Sequence, residues 1–190
     1  TGITKFSQLS IFSELNNLKN ISMLPEFAAI CGFSIEEVKT QLADYLEDYA
    51  ATKNLNKDEA LEALRVQYDG YHFSWPSPDI FNPFSLLNAF QDRRLDNYWF
   101  ESGTTTFLVE MLRKYDTEFT DLKKIEASAY DFDAPTESAT SIVPLLYQSG
   151  YITIKDYDPD FDFYTLDIPN KEVRIGLTRS LIPAYITPDT

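Results

Sequence analysis

With 190 residues, 44% of them hydrophobic and 15% aromatic, this polypeptide can bury one sizeable core or two small ones. A net charge of −14 repels a phosphate backbone and argues against general nucleic-acid binding. One cysteine, Cys31, excludes an internal disulfide and suggests a reducing, cytoplasmic setting, and with His72 as the single histidine a Cys/His zinc site within one polypeptide is out of reach.

In sequence order, residues 1–6 read as a short apolar segment without a cap, as if the chain starts in mid-element. They lack the long apolar core of a signal peptide, and no run anywhere approaches the roughly 18 apolar residues of a membrane span. In residues 10–20, Ile11, Phe12, Leu15 and Leu18 make an apolar face at helical spacing, interrupted by Asn16-Asn17. Ser34 with Glu37 three residues on is a capping box, and Ile35, Val38, Leu42, Tyr45, Leu46 and Tyr49 predict one amphipathic helix over residues 35–51. Asn56 with Glu59 repeats the device before Ala60, Leu61, Leu64 and Tyr68, and the short link 53–56 suits antiparallel neighbours.

Residues 68–90 then read as a junction. They hold His72, Trp75, Tyr68 and Tyr71, four phenylalanines and three prolines. Gly70 tolerates positive φ in a tight turn, Trp75 to Pro78 cannot continue a helix, and Asn82-Pro83 is an N-cap followed by proline at the first helical position. Beyond it lie a helix over 83–91, the aromatic cluster Asn97-Tyr-Trp-Phe100, and a helix carrying Phe107, Leu108, Met111, Leu112 and Tyr115 on one side. Residues 120–136 read as polar and irregular. A short apolar helix over 142–148, with Pro144 in its first turn, ends near Gly150. Residues 151–155 and 161–168 read as strands around an Asp158-Pro-Asp160 turn, and a last helix starts at Pro169-Asn170 and runs to about 185. Helix, hairpin, helix at this spacing suggests a winged-helix-like unit.

Several candidate chemistries weaken on inspection. None of the six glycines is followed by lysine, so the sequence has no P-loop, and it has no apolar strand ending in a paired acid for magnesium. Asp156, Asp158, Asp160 and Asp162 could hold a hard cation through oxygen, but a calcium-loop register puts Phe163 at the sixth position and Pro169 at the twelfth; a solvated turn is the better reading. His72 titrates near neutrality and could serve as a general base, yet it sits between aromatics without a cysteine or serine motif, which reads as a packed histidine. Lys171, Arg174 and Arg179 on the last helix would meet DNA in a winged helix, but the acids of the adjoining hairpin oppose phosphate, favouring a protein-facing or intramolecular role.

One resemblance covers nearly all 190 residues. Thr1-Gly-Ile-Thr-Lys-Phe6, Ser13-Glu-Leu-Asn-Asn-Leu18, Tyr68-Asp-Gly-Tyr-His-Phe73, Asn82-Pro-Phe-Ser-Leu86, Asn97-Tyr-Trp-Phe-Glu-Ser-Gly103, Gln148-Ser-Gly-Tyr-Ile-Thr-Ile154 and Pro169-Asn-Lys-Glu-Val-Arg174 together resemble the bacterial AAA-ATPase-like proteins. These are P-loop NTPases often fused to a nuclease-like domain of the PD-(D/E)XK superfamily. The resemblance places this segment on the C-terminal side of the Walker motifs. It implies that Thr1 sits near the sensor position by the γ-phosphate and that residues 35–68 form a helical lid. It also implies that Gly70 and Tyr71 belong to a lid turn against the nucleotide, where Tyr71 could stack on or edge an adenine. ATP and Mg are the cofactors implied for the parent protein, none for this segment alone, and no catalytic or metal-binding residue is expected in it. The implied partners are the N-terminal P-loop core and a possible C-terminal nuclease-like domain.

The expected fold is mainly α (α+β): a lid-like helical bundle over 1–68, then a helical, winged-helix-like region over 69–190 with a β-hairpin at about 151–168. The expected function is that of a sensor, lid and coupling segment in ATP-dependent conformational switching. The alternatives are a protein-interaction module without nucleotide, anchored by Trp75 and Trp99, and, more remotely, a DNA-binding winged helix.

Overall fold

Capping chemistry sets the first three helices of the computed structural model, which describes residues 20–101, 105–117, 122–134 and 139–186. The expectations for residues 1–6 and for most of 10–20 lie outside the described residues. After a 3₁₀ turn at Pro25–Phe27 and a two-residue strand β1 (Phe33–Ser34), helices α1 (Ile35–Thr40), α2 (Ala43–Lys53) and α3 (Lys57–Tyr68) follow. The Ser34 hydroxyl accepts from the Glu37 N–H at 3.3 Å while the Glu37 carboxylate accepts from the Ser34 N–H at 2.8 Å. Asn56 and Glu59 make the same reciprocal pair at 2.9 Å each. Asn56→Ala leaves the Glu59 N–H in the first turn of α3 without its acceptor and should cost about 1 kcal/mol, read as a lower urea midpoint at unchanged slope.

The single helix expected over 35–51 is two helices. Thr40 donates its hydroxyl back to the Glu36 carbonyl at 2.6 Å, which competes with the helical ladder, and Leu42 leaves helical geometry at φ −109°, ψ 18°. The apolar period survives the break, because Val38 before it and Leu46 and Tyr49 after it all enter one core.

The junction crosses a second short strand, β2 (Ile80–Phe81), which pairs antiparallel with β1, and Tyr71 and Ile80 exchange backbone bonds at 3.0 and 3.2 Å. Helix α4 (Pro83–Asp92) starts as expected, with Asn82 accepting from the Ser85 N–H at 3.2 Å. Then come α5 (Tyr98–Glu101), α6 (Thr105–Lys114), β3 (Ile125–Ala127), α7 (Ala129–Phe132), α8 (Val143–Gln148), β4 (Thr153–Asp158), β5 (Phe163–Asp167) and α9 (Lys171–Ile186). The stretch read as irregular over 120–136 thus holds a strand and a helical turn. Three residues of alternation are too few to register as a strand in the sequence.

The protein is mainly α with two small antiparallel sheets, the larger in the order β3-β5-β4. From α6 the order is helix, strand, two helices, then the β4–β5 hairpin, with β5 in the middle of the sheet, which is the arrangement of a winged-helix-like unit.

Two apolar clusters result. One gathers Val38, Leu46, Tyr49, Leu64 and Tyr68 with Phe81, Leu86 and Phe90; the other gathers Leu108, Phe132, Leu146, Ile154, Leu166 and Leu177. Packing does not divide at Tyr68, since α4 follows the junction in sequence yet completes the first cluster.

Candidate functional site: the seam between two cores

The junction runs along the boundary between the two clusters, with Tyr71 and Ile80 in the second and Tyr68 and Phe81 in the first. Alternating side-chain direction along β2 explains the split of Ile80 from Phe81. Three side chains from the winged unit bind across this boundary. Thr153, at the start of β4, accepts from the His72 N–H at 2.9 Å and donates to the His72 carbonyl at 2.7 Å. Lys155, two residues on where the register of β4 against β5 shifts, donates its Nζ to the carbonyls of Gly70 and Pro169, the latter at 3.2 Å. Glu172, in the first turn of α9, accepts at Oε1 from the Ser85 hydroxyl at 3.0 Å and from the Trp99 N–H at 2.9 Å.

Burial sets the electrostatics of the seam. Burial pushes the Lys155 ammonium below its usual range, against the opposing pull of Asp79, Asp69 and Asp167. Burial also raises the Asp69 carboxyl to about 6, even with Arg65 Nε at 3.5 Å. Glu172 is 0% exposed, and burial raises its carboxyl to about 7.

His72 Nδ1 lies 3.2 Å from Asp79, its ring centroid 5.3 Å from that of Trp75, and burial holds its imidazole below the usual range. That is the surrounding of a packed histidine, as the sequence suggested.

Of the sequence-predicted site residues, Thr1 lies outside the described residues. Gly70 and Tyr71 stand in the middle of the seam. Gly70 has φ +104°, and a Cβ there would fall 2.4 Å from the Pro169 carbonyl oxygen. Tyr71 is 7% exposed, its ring stacked on Phe73 at 6.4 Å and its hydroxyl near Asn82 and Asn170. The residues that fasten the seam, Thr153, Lys155 and Glu172, were not singled out from sequence. A lone lysine within an apolar strand start was the available signal for Lys155. Glu172 gave none, because a glutamate in a first helical turn is commonplace.

The described part of this seam does not fit a nucleotide by itself. Phosphates need free backbone N–H groups and cations. The N–H groups of Tyr71 and His72 are already bonded, Lys155 is held by two carbonyls, and Arg65 by Glu62 and Asp69.

The winged-helix topology also moves the expected DNA-facing element. The second helix of the α7–α8 pair, ahead of the hairpin, occupies the reading position, not the last helix. Helix α8 carries no lysine or arginine and contributes Pro144, Leu146 and Tyr147 to the interior. Asp156, Asp158, Asp160 and Asp162 stand on the hairpin, where Asp158 accepts from the Asp160 N–H at 2.9 Å as in an ordinary turn. No group of three metal-ligating side chains occurs among the described residues, and none of the described helices is long and apolar enough to cross a membrane.

The protein is similar to one of Azotobacter chroococcum mcd 1 described as "Uncharacterized protein in vnfD 5'region", with 35% identity over 188 residues. The match takes in 98% of the present sequence and 34% of that protein, so the 190 residues span about a third of the length of the relative. No protein-family model and no solved structure matches it.

Proposed function

We propose that this protein is the sensor, lid and coupling segment of a cytoplasmic AAA-ATPase-like protein, whose P-loop core binds ATP and Mg outside these 190 residues. The observation that carries the reading is the seam. One turn, Gly70 to His72, is tied by Thr153 and Lys155 to the winged unit while its flanks build the helical core. A displacement of the helical unit at a nucleotide would therefore be passed to the winged unit through backbone contacts. Such coupling requires two states with different contacts, and in this reading the polar ties between the two cores are the contacts that differ. In this reading Thr1 stands near the γ-phosphate. The burial of the Tyr71 ring favours a turn that acts through its backbone over one that stacks on adenine. The P-loop core and a nuclease-like domain are the proposed partners.

Calorimetric titration of ATP and ADP, with Mg, into this protein and into a version extended N-terminally through the P-loop tests the reading. Binding to the extended form alone is expected. Silence from both would end the nucleotide reading. The protein-interaction alternative would then stand, though on different residues from those expected. Trp75 and Trp99 pack against the second core, whereas Tyr130 at 86% and Phe161 at 73% are exposed aromatics.

A further inference from the structure

Glu172 is the one fully buried acid among the described residues, and the coupling role above does not require its charge. Both of its hydrogen-bond donors, Ser85 Oγ from α4 and the Trp99 N–H from α5, converge on Oε1. Oε2 is buried without a partner. An ionised carboxylate would therefore hold part of its charge on a buried oxygen that nothing solvates, a larger cost than that of the single unpaired O–H of the neutral acid.

The Trp99 N–H and the Ser85 hydroxyl favour an ionised carboxyl, but burial outweighs them and no cation is among the groups that act on it. Asp96, ahead of α5, acts on it with a charge of the same sign. The phenols of Tyr68 from α3 and Tyr71 from the junction feel its charge and are themselves raised by burial. Helix α6, also packed on α9, turns Leu108 and Leu112 inward and leaves Glu110, Arg113 and Lys114 exposed.

We propose that Glu172 is a proton-operated latch between the two cores, closed while its carboxyl is neutral and released when the proton passes to solvent. A buried carboxylate with a single hydrogen-bonded oxygen and no cation is costly. On ionisation the favoured response is to admit water, which separates the start of α9 from Ser85 and Trp99. The latch is built from this protein's own residues and operates whether or not a parent protein binds nucleotide.

Trp99 reports on it directly, since its N–H is one of the two donors and its ring contacts Tyr151 at 5.1 Å. With two tryptophans in the sequence, Trp75→Phe leaves Trp99 as the single indole emitter. In that background, acrylamide quenching of Trp99 should rise with pH through one transition, centred below the pH at which the closed carboxyl would itself ionise, with the open-to-closed ratio changing by up to about tenfold per pH unit. Glu172→Gln should hold the closed, weakly quenched value from about pH 5 to about pH 9, and Asp69→Asn should leave the transition in place.

A transition that survives Glu172→Gln, one abolished by Asp69→Asn, or a flat profile in a protein still folded by circular dichroism would overturn the latch. If Trp75→Phe does not fold, the same titration is read by fluorine NMR on the otherwise unaltered protein labelled with 5-fluorotryptophan. Trp99→Phe then assigns the resonance.

Discussion

Gly70→Ala is expected to destabilise the protein by about 4 kcal/mol, toward the upper end of what single substitutions do. Two costs combine. At φ +104° an L side chain is strained, which alone costs about 1–3 kcal/mol. The new Cβ would also lie 2.4 Å from the Pro169 carbonyl oxygen and 3.0 Å from Lys155 Nζ, so the segment leading into α9 must move away. Pro169 and Gly70 supply the two carbonyls that hold Lys155, and moving one of them leaves a half-buried ammonium short of an acceptor. Guanidinium unfolding, read as a fall in midpoint, measures the effect. A loss under about 1 kcal/mol would mean that the Pro169 segment yields freely and that the seam is not held as described.

Glu172→Gln is expected to change stability in a pH-dependent way, with the variant gaining about 2.5 kcal/mol on the parent between about pH 5 and about pH 8. Glu172 has its carboxyl raised from the ordinary 4.5 to about 7. Below 4.5 the folded and unfolded states both hold the proton. As pH rises from 4.5, the unfolded state releases it first, and stability falls until the folded state releases it near 7. The full loss is about 3 kcal/mol and is complete above that range. Glutamine keeps an oxygen for Ser85 and Trp99 and never ionises, so it escapes the loss. Asp69, also raised, titrates in both proteins and cancels in the difference. Urea midpoints at about pH 5 and about pH 8 for both proteins decide the matter. A variant that gains nothing on the parent between the two would show that the buried carboxylate finds partners when ionised.

Both expectations rest on residues whose importance is unevenly visible in the sequence. Ser34 with Glu37, Asn56 with Glu59, and Asn82-Pro83 announce helix starts through chemistry contained within four residues, and each forms as read. The β4–β5 hairpin and the closing helix were equally legible, because β-branched and aromatic content and a Pro-Asn start are local signals. The junction was recognisable from its prolines, aromatics and Gly70, as were the mainly helical character of the whole and the winged-helix-like character of the region that follows the junction.

Tertiary structure alone decided the rest. It broke the helix at Leu42, placed α4 in the first core, added β3 to the sheet, and assigned the reading position of the winged unit to an uncharged helix. It also made Thr153, Lys155 and Glu172 the fasteners of the seam. Their partners His72, Gly70 and Ser85 lie 81, 85 and 87 residues away, and no periodicity or motif links positions so distant. A capping residue finds its partner one turn away and so leaves its mark in the sequence. A half-buried lysine or a buried glutamate gains its meaning only from groups that folding brings to it, and from the water that folding removes.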